Sequence, residues 1–234
     1  MNIENLCNLI QLDPQLKARV LGFADDFDFT VVDMYLKEFR IYEKMSEALE
    51  KLMETLREDP DRIKILACML KASADIYETY KERGIGDEIY VATMKCYPRF
   101  VEETFEMTGK RYFDRFWWTT RQAGGHLFRI DELEYEIAYV GGTVAIDMHI
   151  PSDADFSPNA VDRSLDSAKQ FFATHYPELA DAEYRCNSWL LDPQMQNMLG
   201  EGSNILSFQH RFEIFDEGKE GTDFLQWLFK TNLT

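Results

Sequence analysis

The chain of 234 residues is 45% hydrophobic and 14% aromatic, so it can bury a core of ordinary size, and intrinsic disorder is excluded. Forty-two acidic residues against 25 basic ones give a net charge of −17, a field that repels nucleic-acid backbones and anionic membrane surfaces. Cys7, Cys68, Cys96 and Cys186 form no CxxC pair, and His126, His149, His175 and His210 show no HxH or HExxH spacing, so neither a disulfide framework nor a metal site is expected.

The first half reads as helices. Asp13-Pro14 supplies an N-cap and a proline at the first helical position. Thr30 is expected to cap a segment in which Val31, Met34, Tyr35 and Phe39 recur at helical spacing. Leu49, Leu52, Met53 and Leu56 continue an apolar stripe to the breaker Asp59-Pro60. The clearest helix spans 61–83: Ile63, Leu66, Ala67, Leu70, Ala74, Tyr77 and Tyr80 line one face, and Gly84 fits the position just past its end. Asp87 is expected to cap a further helix, disturbed near Pro98 and stopped by Gly109, and 112–122 forms a last short one before Gly124-Gly125. The N-terminal run MNIENLCNLIQLDPQ lacks a basic start and a long apolar stretch, so a secretion signal is not expected and the cytoplasm is the expected location.

The period then changes from about 3.6 to about 2. Phe128 and Ile130, then Leu133, Tyr135 and Ile137, alternate with polar neighbours, and Asp131-Glu132 sits where a tight turn would join two strands. Gly141-Gly142 marks a second turn, and Val144, Ile146, Met148 and Ile150 alternate with Ala145, Asp147 and His149. A three-stranded antiparallel meander follows. Beyond Pro151 lies a polar loop, after which Ser157-Pro158 opens a helix to about residue 175 with Val161, Leu165, Ala168, Phe171 and Phe172 on its core face. AEYRCNSWLL reads as a strand, Asp192-Pro193 starts a short helix through Leu199, and NILSFQHRFEIF reads as a long strand. The run GKEG then turns into a final amphipathic segment over 224–229. The expected order of the second half is β-β-β-α-β-α-β, and the expected class is α+β: an all-helical N-terminal domain over 1–110, then a mixed, mainly antiparallel sheet with flanking helices over 111–234.

The wording of that second half is more specific than its order of elements. The runs GGHLFRIDELEYEI, MHIPSDADFSPNAVDRSLDSAKQFF and YRCNSWLLDPQMQNMLGEGSNILSFQHRFE, together with GIGDEIYVATMKCYPRF before them, resemble a bacterial family of GNAT-like acyltransferases. Its members pair a helical N-acyltransferase N-terminal domain with a GNAT-like C-terminal domain. The resemblance implies direct transfer of an acyl group, acetyl or longer, from acetyl-CoA or another acyl-CoA to an amine. The acceptor would be a small molecule or a peptide, with no metal, and a homo-oligomer stays open. It also implies that acyl-CoA lies in a gap beside 144–150, where backbone groups at Met148, His149 and Ile150 meet the pantetheine arm. Ser152, Ser157 and the amides as far as Asn159 would then hold the pyrophosphate at a helix N-terminus. Read without the family, Ser157-Pro158 is equally a helix cap, and Asp153 and Asp155 oppose a phosphate there.

The chain departs from the family pattern at two places. The loop over 152–159 contains no glycine, where many GNAT enzymes carry (Q/R)xxGx(G/A), and Asn187 stands where members often have histidine. These departures support an alternative, a non-catalytic GNAT-like module that binds acyl-CoA or a protein partner.

Candidate proton carriers for an acyl transfer are His149, Glu134 or its neighbour Glu136, and Ser188. His149 lies on the less apolar side of its strand, where a histidine can be a base or a structural hydrogen bonder. Glu134 and Glu136 share one strand face; in a cleft one of them can take the amine's proton, and at the surface they are ordinary charges, the expectation for at least one of the two. Ser188 can protonate a leaving thiolate or simply bond to a neighbouring strand. Between 108 and 130, Lys110, Arg111, Arg115, Arg121 and Arg129 against Asp114 alone give a local charge of +4, interleaved with Phe113, Phe116, Trp117 and Trp118. This island would either steer an anionic ligand or pair with the acidic helical domain around an aromatic core.

Overall fold

The computed structural model describes residues 1–140 and 142–215. The chain divides into two compact units, Met1–Phe128 and Arg129–Thr234.

The first unit is helical: α1 Ile3–Leu9, α2 Pro14–Asp26, α3 Asp33–Glu38, α4 Met45–Leu56, α5 Ile63–Glu82, α6 Asp87–Met94, α7 Cys96–Thr108 and α8 Phe116–Gly124. The Asp13 carboxylate accepts the N–H groups of Gln15 and Leu16, as the Asp-Pro start predicts. Asp59 does the same for α5, accepting from Lys64 at 3.2 Å and Ile65 at 2.9 Å. Gly84 has φ +69° and closes α5, with the Ile85 N–H reaching back to the Tyr80 carbonyl at 2.8 Å.

α5 is more deeply placed than a one-sided stripe implies. Ile65, Leu66, Ala67, Cys68, Met69 and Leu70 are buried in succession, because α1, α2, α3, α4, α6 and α8 all pack around it. Around Thr30 the expectation fails. Asp28 is the cap, accepting from the Thr30 N–H and hydroxyl, while Val31 and Met34 face solvent. Asp87 sits in the first turn of α6 rather than at its cap, which is Gly86, and its carboxylate accepts from the Tyr77 hydroxyl at 2.8 Å. The last helix is shifted from 112–122 to Phe116–Gly124.

A four-stranded sheet has the order β1-β2-β3-β4, with β1 Leu127–Ile130, β2 Leu133–Val140, β3 Thr143–His149 and β4 Glu183–Cys186. β2 and β3 are antiparallel. β3 and β4 are parallel, joined through α9 Pro158–His175, so the sheet is mixed. On one face lie the cross-strand pairs Tyr135 with Met148, Ile137 with Ile146, Ile146 with Tyr184 and Met148 with Cys186. α9 covers that face: Phe172 packs edge-on against Tyr184, and the buried Ser164 hydroxyl serves three partners. It donates to the Ile130 carbonyl at 2.6 Å, accepts the Leu133 N–H at 3.2 Å and meets the Tyr135 hydroxyl at 3.0 Å. The turn between β1 and β2 is thereby fixed to the middle of α9.

The end of the described chain differs from its expected form. AEYRCNSWLL is a strand only over Glu183–Cys186; Ser188 then caps a 3₁₀ turn at Trp189–Leu191, and Pro193–Asn197 is a second 3₁₀ turn. The long strand foreseen from NILSFQHRFEIF is instead α10, Asn204–Gln209. Ser203 caps it through the Ile205 N–H, and Ile205, Phe208 and Phe212 recur at helical spacing. Gln209 donates to the carbonyls of Leu190 and Asp192, and Arg211 binds Asp162 at 2.7 Å, so these polar groups are satisfied by a helix beside α9. The final segment over 224–229 and the turn before it lie outside the described residues. Among the described residues, no helix is long and apolar enough to cross a membrane.

Candidate active site

The pairing of β2 with β3 sets the centre of the second unit: Val140 lies opposite Thr143, Glu136 opposite Asp147 and Glu134 opposite His149. Period 2 then puts all four on the face opposite Tyr135 and Met148. Both glutamates are buried, Glu134 to 3% and Glu136 to 2% exposure, which corrects the expectation that at least one is a surface charge. A buried carboxylate must be hydrogen-bonded or neutralised. Glu136 meets this by a diagonal contact: its Oε2 lies 2.8 Å from His149 Nε2.

Asp147 is the residue that sequence reasoning missed. It stands between the two on the same face, half-buried, and burial raises its carboxyl above the ordinary range while His149 and Arg185 pull it back and Glu136 adds to the rise. Only the cross-strand register could have found it, because nothing in the local wording of TVAIDMHI sets Asp147 apart.

The parallel pair ends abruptly. Its register runs Ala145–Glu183, Ile146–Tyr184, Asp147–Arg185 and Met148–Cys186, and stops there. β3 continues to His149 and then to Ile150 and Pro151, while the other chain passes through exposed Asn187 into the 3₁₀ turn capped by Ser188. Ser188 Oγ accepts the Leu190 N–H at 3.2 Å, which leaves its O–H bond available as a donor. The Cys186 thiol is pushed up to about 12, by burial first and by Asp147 second, so it is held as the protonated thiol. His149 and Ile150 thus continue the chain past the last rung, at which Met148 is buried, and Ser188 lies two residues past Cys186 on the other side.

Ser152 and Asn159 are exposed, and Ser157 is engaged within its own loop. Its N–H and its hydroxyl donate to Asp155 at 2.9 and 3.0 Å, and Arg129 donates to Asp153 at 2.9 Å. The arginines of the basic island have structural partners. Arg111 binds Glu102 at 3.1 Å and covers the Phe105 ring, Arg115 binds Asp114 at 3.3 Å, and Arg121 lies over Trp118. Phe113 is buried and Trp117 is half-exposed, so only part of the aromatic run is core.

Comparison with known proteins places these features in a family. Residues 1–125 match the N-acyltransferase N-terminal domain, and residues 107–234 match the GNAT-like C-terminal domain. Among solved structures, an acyltransferase in complex with decanoyl-CoA and teicoplanin has a TM-score of 0.76 at 24% identity, covering 98% of this chain and 76% of that one. An acyltransferase mutant in complex with octanoyl-CoA has a TM-score of 0.77 at 23% identity over the same shares, 98% and 76%. At these identities the likeness is one of fold. No curated protein shows significant similarity to the chain.

Proposed function

This chain belongs to the N-acyltransferase family in which that N-terminal domain is joined to a GNAT-like C-terminal domain, and we propose that it moves an acyl group from an acyl-CoA thioester to an amine. The observation that carries the proposal is the end of the β3–β4 ladder at Met148 and Cys186, beyond which β3 runs on to His149. Two parallel strands that separate expose backbone N–H and C=O groups in pairs, and an extended pantetheine arm with its two amides can take the place of the missing strand.

In this assignment the backbone of Met148 and Ile150 aligns the thioester, and His149 accepts the amine's proton. The amine nitrogen attacks the thioester carbonyl, the C–S bond breaks, and the sulfur leaves as a thiolate that Ser188 protonates, its own proton being restored from solvent. Glu136 holds the imidazole at Nε2, and its carboxylate stabilises the imidazolium that forms when the amine's proton arrives. Glu134, directly across from His149, adds a second negative charge to that face. Holding thioester and amine in attack geometry supplies the larger share of the acceleration, of order 7–11 kcal/mol.

A small-molecule acceptor is favoured over a protein one, since a neighbour of the same fold is seen with decanoyl-CoA and teicoplanin together. The test is release of CoA thiol from a series of acyl-CoA donors in the presence of a panel of amines. Thiol release that depends on the amine and is lost in His149→Ala supports the assignment; donor binding without release under every amine tried refutes the catalytic reading.

A further inference from the structure

We propose that the donor this chain recognises is an acyl-pantetheine thioester, and that the 3′-phosphoadenosine diphosphate end of CoA adds little to its binding; the proposal rests on the acyltransferase assignment above and narrows it. The segment between β3 and α9 is where the fold would offer hydrogen-bond donors to a diphosphate. In this chain several of those donors are already engaged. Ser157 gives both its N–H and its hydroxyl to Asp155, at 2.9 and 3.0 Å. The Asp155 N–H goes to Glu132 at 2.8 Å and that of Ala154 to the Pro151 carbonyl at 3.1 Å. At the start of α9, Pro158 has no N–H, and the amide of Ala160, one of those a helix ordinarily leaves unpaired, donates to the Ser157 carbonyl at 3.1 Å. An α-helix ordinarily leaves about four N–H groups for an anion at this end, and here the first turn presents fewer.

Charge points the same way. Glu132, Asp153 and Asp155 surround the segment, and hydrogen bonds from Ser157 hold the Asp155 carboxyl below its ordinary range, so it stays ionised at neutral pH. Among the described residues the cations near them are Arg129, which is bound to Asp153 at 2.9 Å and to the Asp131 carbonyl at 2.7 Å, Arg163 on α9, and Arg211, which is bound to Asp162 at 2.7 Å and to the Pro158 carbonyl at 3.3 Å. A diphosphate would enter a field that is already negative, beside an arginine that is already neutralised. Without a glycine from 152 to 159, the backbone cannot wrap closely round it. The pantetheine arm needs none of this. It is an uncharged chain with two amides, and the backbone beyond the last β3–β4 rung suits it.

Octanoyl-CoA and S-octanoyl-pantetheine, titrated calorimetrically into the full chain and assayed for thiol release with a panel of amines, separate the possibilities. The two dissociation constants are expected to agree within about tenfold; a larger advantage for octanoyl-CoA overturns the proposal and leaves the acyltransferase assignment standing. Affinity for octanoyl-CoA is expected to hold or rise as salt is raised from about 20 to about 300 mM, because screening weakens repulsion, and a fall overturns the proposal as well. Binding of both thioesters without thiol release refutes catalysis and supports the donor proposal. Binding of neither refutes both.

Discussion

Replacing Glu136 by glutamine keeps the shape of the buried face and the hydrogen bond to His149 but removes the charge. At 2.8 Å from His149 Nε2, a full carboxylate and an imidazolium attract by about 6 kcal/mol at an effective dielectric of 20 and by about 1.5 kcal/mol in water. Part of this is offset by desolvation, since Glu136 is 2% exposed. A charge-assisted hydrogen bond retains about 1.5–3 kcal/mol net. If the imidazolium forms in the rate-limiting step, Glu136→Gln lowers kcat/KM by about 10- to 150-fold. The assay is amine-dependent thiol release from an acyl-CoA, run as a double-mutant cycle with His149→Ala. In the double variant the glutamine is expected to add little to the loss from His149→Ala, because the catalytic role assigned to Glu136 runs through the histidine. Additive losses with the fold intact by circular dichroism would refute the pairing, and near-normal rates in His149→Ala would refute the base itself.

Three further outcomes follow from the second unit. Ser164→Ala strands the Leu133 N–H, the Ile130 carbonyl and the Tyr135 hydroxyl in a buried site, and urea unfolding is expected to show a loss of about 2–4 kcal/mol, partly recovered on adding Tyr135→Phe. Asp147 has a raised carboxyl pKa, so its ionised form is penalised in the folded state: the penalty builds as pH rises from the ordinary 3.8 through the raised value and is complete above it. Asp147→Asn should therefore melt higher than the parent at neutral pH, the gap closing below that window; a constant gap across pH contradicts the desolvation account. Cys186, its thiol held up to about 12, should resist alkylation in the folded protein near neutral pH, and Cys186→Ala should keep its rate of acyl transfer; rapid labelling would contradict the raised thiol.

The periodic segments were legible before any coordinates. α5 fell almost where its apolar spacing and Gly84 put it, and β2 and β3 followed their alternation and their glycine turn. Asp13-Pro14 and Ser157-Pro158 marked the starts of α2 and α9. The errors gathered where short apolar runs fit two periods. NILSFQHRFEIF alternates well enough for a strand, yet its Ile205, Phe208 and Phe212 also share a helix face, and burial of Phe208 and Gln209 beside α9 decided for the helix. Thr30 lost the cap to Asp28 because a carboxylate two residues back accepts both its N–H and its hydroxyl.

For the site, the sequence determined that Glu134 and Glu136 share one face of β2 and that His149 lies on the less apolar face of β3, since side chains alternate with period 2; that Asp147 stands with them came from the register of the two strands. It also determined, through wording longer than any motif, the family. Only the tertiary structure decided that both glutamates are buried, that Glu136 lies 2.8 Å from the histidine, and that β4 runs parallel to β3 with its last rung at Met148 and Cys186. The physical reason is range. Side-chain alternation and turn register are set by bonds within a few residues, whereas burial, a diagonal contact and the parting of two strands depend on segments joined through α9, whose distance in the chain carries no local signal.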